Sequence, residues 1–595
     1  MINLRFFIGK TIRRILIFTG IVILFYYFGF SFPFRGYPFN ARRHGNPPLT
    51  PAWALECWLW EDDYNTAQYV DTLIKGYARF DIPVRTILLD SPWSTRYNDF
   101  NIDTIRYPDP KKWFGKLQDN GYRVVLWMTS MVNSKSKDTR ISESVSWFNE
   151  AAEKGYLAGN ADQVRWWKGE GGFIDYANSD AVSWWRGLQQ QVLDFGIDGW
   201  KLDGTATLFR TMLGPVPLFY KKTSQGLMTT RAYMDHYYRD EYMHGLTRPQ
   251  EFITLVRGID RWFHPEGFAP LDAAPVTWVG DQKHTWESAG ENSQEDDRNR
   301  DIAMDGIGGI ETAIRNILKS AGVGYNIIGS DVAGFSGSVI PPRLYIRWAQ
   351  LSAFCGLFLN GGHGERALWK RSGQELEIIR KFSWLHTELI PYMYTYVVKA
   401  HNGGTLLQRP VKGKYHYLFG DNFLVAPIYR DDLRNKITLP DGRWRYFFND
   451  KEVIEGPVKF EREFPLEEYP VYIRDGAIVP MEIKRNYTGI GDIDSDGFLT
   501  LLVYPSGRSD FTVFYPDNKG STSVSVDENK ETIRISIRGL HKPHILKINL
   551  LTKPEKVSRD DTTLTESMDY NFDEKTNKLI IRTVNYNAGE YLIDL

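Results

Sequence analysis

Two aspartates stand at the ends of short apolar, β-branched runs: Asp203 in "GIDGWKLDGT" and Asp281 in "VTWVGDQKHTW". A buried strand favours Val, Thr and Trp and disfavours a carboxylate, which costs free energy when it is taken out of water. Each aspartate therefore needs a chemical reason. Two carboxylates facing one pocket can divide the roles of nucleophile and proton donor, as cleavage of a glycosidic bond requires. One must stay ionised while the other holds a proton near neutral pH. Lys201 lies two residues before Asp203, on the same face of a strand. Its cation is expected to keep Asp203 ionised. Trp278 and Val279 precede Asp281, and an apolar wall there is expected to raise the Asp281 pKa, as a general acid needs.

These residues must be carried by strands that converge. From Ala52 to about residue 400, apolar strand-like runs alternate with helical periodicity. The strands are read at 52–60, 84–90, 122–129, 199–203, 252–258, 276–281, 325–331 and 356–362, with helices such as 65–80, 110–120, 309–321 and 343–354 between them. Eight such strands predict an α/β fold, a (β/α)8 TIM barrel with inserted loops. An open doubly wound sheet would normally carry a glycine-rich phosphate loop after its first strand, and none is present. In a barrel, chemistry sits at the carboxyl ends of the strands. Asp90, Asp203, Asp281 and Asp331 all stand at such ends, Arg257 ends the fifth strand and His363 follows the eighth. A helix cap explains a single aspartate of this kind; packing does not explain the whole set.

After residue 400 the helical pattern stops. Short strands with turn signals predict two β-sandwich domains, 401–484 and 485–595, behind the catalytic barrel at 51–400. "DIDSDG" (492–497) resembles half of a calcium loop, but position twelve is Val503, so it reads as a surface turn and no metal or cofactor is expected. At the other end, residues 1–14 form a short basic tail and 15–34 an apolar segment. It contains "ILIFTGIVILFYYFGFSF", 18 uncharged residues, near the roughly 20 that span a bilayer. No small-residue cleavage pattern follows. The segment is read as a transmembrane signal anchor, with a cleaved signal as the alternative, followed by a linker at 35–50. Basic residues flank it on both sides, so the charge rule is nearly balanced. A short tail kept inside would put the large domain on the non-cytoplasmic side. The 595 residues carry a net charge of −1, which gives no sign of a nucleic-acid partner. Two cysteines, Cys57 and Cys355, permit no disulfide framework and read as buried free thiols.

Taken in order, "DGWKLDG", "PVTWVGDQKHTW", "GSDVAGFSG" and "LYIRWAQLSAF" resemble the family 31 glycoside hydrolases, retaining α-glycosidases that include α-glucosidases, α-xylosidases and α-galactosidases. The resemblance runs from about Pro51 to Met481. It implies Asp203 as nucleophile and Asp281 as acid/base, acting on an oligosaccharide or other glycoside. It also implies that Asp90, Lys201, Arg257, Trp278, Asp331 and His363 line the subsite of the cleaved sugar, joined by Trp127. Members of the family usually carry an amino-terminal β-sandwich before the barrel; here a short linker stands there. "VRGID" replaces the usual arginine-serine pair, and Asn360 stands where many relatives have arginine. Three other readings stay open: an α-glucan lyase, a transglycosylase, and a non-catalytic membrane-anchored carbohydrate-binding protein. The oligomeric state is not fixed by the sequence.

Overall fold

The computed structural model describes residues 2–35, 45–258, 269–287, 308–337, 339–516, 519–584 and 589–595. Its centre is a ring of parallel strands: β1 (Trp58–Leu59), β2 (Thr86–Leu89), β3 (Arg123–Met128), β4 (Gly199–Leu202), β5 (Ile253–Arg257), β6 (Val276–Trp278), β7 (Ile328–Gly329) and β8 (Leu359–Asn360). Each strand pairs with its chain neighbours, and β8 also pairs with β1. Between β7 and β8, Asp331 bridges to Leu359, and the Val332 amide donates to the Leu359 carbonyl at 2.8 Å, closing the ring. This is the expected barrel.

The helices around it follow from the sequence. Helix Ala67–Arg79 is capped by Thr66, whose hydroxyl accepts from the Tyr69 amide, and it buries Val70, Leu73 and Tyr77 at helical spacing. Helix Pro110–Asp119 opens on proline and buries Trp113, Phe114 and Leu117. Three strands are shorter than the sequence suggests. Ala52–Leu55 is a 3-10 turn, closed by the Trp58 indole donating to the Ala54 carbonyl at 3.0 Å. In 325–331 the strand proper is Ile328–Gly329, followed by the single bridge at Asp331, while Asn326 accepts from the Leu407 amide at 2.8 Å. In 356–362 only Leu359–Asn360 pairs.

Two insertions rise from the carboxyl ends of β3 and β4. The first is a three-stranded sheet of Met131–Ser136, Val164–Trp166 and Gly169–Phe173. The second is a pair of hairpins, Thr211–Leu213 with Val216–Leu218 and Tyr220–Thr223 with Gly226–Thr229. At the amino terminus, an α-helix (Ile2–Tyr26) continues into a wider π-helix (Tyr27–Arg35). Over Thr11–Phe34 it is long and apolar enough to cross a membrane, a property that signal sequences share. Its end packs on the second insertion: the Phe219 ring lies edge-on to Phe30 and Phe34, at 5.4 and 5.0 Å. Most of the expected linker, 36–44, lies outside the described residues.

Beyond the barrel come sheets of six, five and six strands. Strand Ser521–Glu528 alternates buried and exposed residues, as a strand with one face on a core does. Cys57 and Cys355 are buried free thiols, pushed up to about 12 by burial. In "DIDSDG", Asp492 caps a 3-10 turn by accepting from the Asp494 amide at 3.0 Å.

One side chain ties the barrel to the first of these sheets. Arg347, on the buried helix Pro342–Ala353, donates to the carbonyls of Phe464 (2.6 Å), Glu468 (2.7 Å) and Pro465 (3.2 Å). Burial lowers its pKa to about 10. Arg347→Met keeps the volume and strands three carbonyls. The expected loss is about 2–3 kcal/mol, read in a chemical denaturation series as a lower midpoint.

Candidate active site

The site is built where β4, β5 and β6 end. Arg257 closes β5 and is paired in register with Trp278 of β6; its guanidinium lies 4.4 Å over the Trp278 ring. From there one nitrogen, Nη2, donates to Asp203 Oδ1 and to Asp281 Oδ2, each at 2.8 Å. The two carboxylate oxygens are therefore no farther apart than twice that distance. Nε of Arg257 adds a bond to Asp203 Oδ1 at 3.0 Å. Space for the guanidinium comes from Gly280, the residue before Asp281: its φ is +102°, and a Cβ there would stand 3.0 Å from Arg257 Nη1.

Asp203 is held on every side. Its Oδ1 also accepts from the Gly204 amide at 2.7 Å, and its Oδ2 accepts from the Trp127 indole at 3.1 Å. Asp281 is the more open of the two, with a third of its side chain exposed. Where an apolar wall is expected, the Arg257 guanidinium contacts its Oδ2.

Lys201 departs from expectation. It lies on the predicted face, but its Nζ donates to Asp90 Oδ2 at 2.7 Å and not to Asp203. The ammonium sits 4.2 Å from the Trp60 ring and 5.1 Å from the Trp278 ring. Burial alone would lower its pKa, but the surrounding carboxylates of Asp90, Asp331, Asp203 and Asp281 outweigh burial and raise it. Lys201 is thus a permanent cation in the floor of the site, and Arg257 does the pairing expected of it. Asp331 is wholly buried, and among the described residues neither of its oxygens has a hydrogen-bond partner. Burial, reinforced by the charge of Asp281, raises it from 3.8 to about 8 against the pull of Lys201, Arg366 and Arg257. His363 lies on the rim with Nε2 3.2 Å from Asp62 and Nδ1 2.8 Å from Asp63.

Asp62 and Asp63 were not singled out from the sequence. They follow β1 in "WLWEDD", the same signature of an apolar run ending in carboxylates that marked Asp90. Burial and the charge of Asp90 push Asp62 up to about 7. Asn360 does not reach the site: its amide donates to Tyr77 Oη, and its carbonyl oxygen accepts from Tyr345, both at 2.7 Å. A buried guanidinium does lie nearby. Arg366 donates to the carbonyls of Val332, Gly334 and His363, tying the loop after β7 to the one after β8. The residues Ile259 and Asp260 of "VRGID" lie outside the described set.

The Asp331 carboxyl has a measurable consequence. Its folded pKa is raised, so its contribution to stability is fully present below the unfolded value and is lost as pH rises through about 8. Asp331→Asn keeps the neutral shape and removes the titration. The advantage of wild type over this variant in thermal midpoint should shrink steadily from about pH 4 to about pH 8 and then level off. A difference that does not change with pH would mean that Asp331 is already ionised in the folded barrel.

The chain matches the model for the glycosyl hydrolases family 31 TIM-barrel domain over residues 47–295 and 306–396, and that for the glycosyl hydrolase family 31 C-terminal domain over 400–479. Among curated proteins it is 24% identical to alpha-glucosidase 2 of Bacillus thermoamyloliquefaciens, over 80% of this chain and 59% of that one. It is 23% identical to the isomaltosyltransferase of Sporosarcina globispora, over 91% of this chain and 52% of that one. It therefore spans little more than half the length of these relatives. Among solved structures, the Flavobacterium johnsoniae GH31 dextranase complexed with isomaltotriose superposes with a TM-score of 0.75, at 21% identity, over 93% of this chain and 72% of that one. With both domain models matched in order around the Asp203–Arg257–Asp281 centre, the chain belongs to glycosyl hydrolase family 31.

Proposed function

We propose that this chain is a retaining α-glycosidase, held in a membrane by its amino-terminal helix, that removes terminal α-linked sugars through a covalent glycosyl–aspartate intermediate. The observation that carries the reading is the sharing of one Arg257 nitrogen by Asp203 and Asp281, 2.8 Å from each. Retaining enzymes keep their two carboxyl groups roughly 5–5.5 Å apart, close enough for one to reach the anomeric carbon directly. Inverting enzymes leave room for a water, roughly 6.5–9.5 Å.

In this reading Asp203, held in place by Arg257, Trp127 and the Gly204 amide, is the nucleophile. Its oxygen bonds to the anomeric carbon as the glycosidic C–O bond breaks, and Asp281 gives its proton to the departing oxygen. In the second half Asp281 takes a proton from water, the water oxygen bonds to the anomeric carbon, and the Asp203 carboxylate leaves. Asp281 can donate a proton only when Arg257 is committed to Asp203, so a sugar that separates the two carboxylates also readies the acid. Asp90, Lys201, Trp278, Asp331 and His363 line the sugar subsite. The ammonium of Lys201 holds the Asp90 side chain in place, and the Asp331 carboxyl and the Trp278 indole hold polar atoms without partners among the described residues, which hydroxyls of a sugar would satisfy. The anchor reading rests on the length and apolarity of Thr11–Phe34. A transglycosylase is the second reading, favoured by the likeness to the isomaltosyltransferase; it shares the first step, and a sugar replaces water in the second.

The two aspartates separate by chemistry. Asp203→Ala removes the nucleophile and abolishes the first step whatever the leaving group. Asp281→Ala loses about 10²–10⁴-fold on a natural glycoside, but forms the intermediate from a dinitrophenyl α-glycoside, whose leaving group needs no proton. Azide then restores turnover, displacing Asp203 from the β-linked intermediate to give an α-glycosyl azide. Intact-protein mass spectrometry should find a glycosyl adduct on Asp281→Ala and none on Asp203→Ala. The reverse pattern would exchange the two roles. A panel of aryl α-glycosides (glucoside, galactoside, xyloside, N-acetylgalactosaminide, sulfoquinovoside) identifies the sugar.

A further inference from the structure

The first hairpin inserted after β4 has a composition that a soluble surface loop does not need. From Thr211 to Tyr220 the chain reads "TMLGPVPLFY", with no charge. Met212, Leu213 and Val216 are 51%, 60% and 37% exposed. On the following hairpin, Leu227, paired with Lys222, is 77% exposed. A cluster of exposed large apolar side chains on one projecting element marks an interaction surface. The hairpin is flanked by Arg210 and by Lys221 and Lys222. Lys221 is spent on Asp162, while Lys222 is exposed.

What this surface meets follows from where it is fastened. The Phe219 amide donates to the Gly29 carbonyl at 3.2 Å, and the Tyr220 hydroxyl donates to the Phe28 carbonyl at 2.9 Å. Gly29 is approached so closely that a Cβ there would stand 3.2 Å from Leu218 Cδ2. Both carbonyls belong to the apolar segment Thr11–Phe34. In a helix that spans a bilayer, these are the last turns before the water. The returning strand of the hairpin is thus fixed to the end of the span, where Phe28 and Phe32 of that helix are themselves exposed, at 56% and 36%.

We propose that the hairpin Thr211–Leu218 is a second membrane contact, dipping Met212, Leu213 and Val216 into the lipid–water interface beside the anchor, with Lys222 at headgroup level. It follows the strand that ends in Asp203, so it presses the rim of the barrel's catalytic end against the bilayer surface. The inference rests on the reading of Thr11–Phe34 as an uncleaved anchor. Apolar side chains at the interface and basic residues above them are the usual pattern of such contacts, and anionic lipids attract the bases.

The test uses the full-length protein in phosphatidylcholine–phosphatidylglycerol vesicles. Both native cysteines are buried, so an introduced one can be labelled selectively with an environment-sensitive fluorophore. Leu213→Cys and Met212→Cys report on the hairpin, Phe18→Cys on the span, and Met568→Cys, 84% exposed in the carboxyl-terminal region, on the aqueous side. The expected result is a blue shift and quenching by spin-labelled lipid at 213, 212 and 18, with quenching by aqueous iodide only at 568. Lipid quenching at 18 alone, with iodide reaching 213 and 212, would overturn the hairpin contact and leave the anchor standing. Loss of lipid quenching at 18 as well would remove the anchor and the hairpin contact together. Labels at 213 and 212 shielded from both quenchers would assign the surface to a second copy of the chain and overturn the proposal.

Discussion

The site depends on one guanidinium. Asp203 and Asp281 follow different strands of the barrel, and their like charges need a cation between them to sit this close. Arg257 is that cation. It is fixed by its place at the end of β5, by its stacking on Trp278 and by the room that Gly280 leaves. Two carboxylates sharing a nitrogen at 2.8 Å repel each other less than their own separation would dictate. Taking the guanidinium away would leave two negative charges in a partly dry pocket, and one would have to take up a proton.

The wider charge pattern extends this logic. Asp62, Asp90, Asp203, Asp281 and Asp331 crowd around the cations Lys201 and Arg257. The cations satisfy Asp90, Asp203 and part of Asp281. The two carboxyls left over, Asp62 and Asp331, are the ones driven up, to about 7 and about 8. A low-dielectric site balances its charge by proton uptake where it lacks cations. Asp331 then presents a hydroxyl donor as well as an acceptor, a pairing that suits a polyhydroxylated ligand better than a bare carboxylate does.

Much of this was legible in the sequence. A carboxylate at the end of an apolar, β-branched run is improbable enough in each case that several together point to one face of one barrel, and Asp90, Asp203, Asp281 and Asp331 do lie there. Strand alternation correctly put Lys201 on the inner face of β4. It could not name the partner, because alternation fixes a face, whereas the stagger between β2 and β4 decides which acid the long side chain reaches. Asp62 and Asp63 stand in an acidic run, "EDD", just past β1 (Trp58–Leu59), and such a run has no local mark that tells a site from a solvated loop. Asn360 looked like a change in the site and is instead a hydrogen-bonded core residue between Tyr77 and Tyr345. Long-range contacts of this kind have no local signature; the grip of Phe219 on Phe30 and Phe34 is another.

That last contact bears on how the enzyme would search for its substrate. A domain tied to a membrane by a flexible tether tumbles like a buoy, and its mouth samples every direction. Here the end of the apolar helix is hydrogen-bonded and packed to the second insertion at Phe219 and Tyr220, contacts that restrict how the barrel can turn about the helix. For a helix embedded in lipid, its tilt then sets the heading of the barrel, and lateral drift replaces free tumbling. Encounter with a glycan carried on the same surface becomes a planar search, governed by molecules per unit area instead of molecules per unit volume.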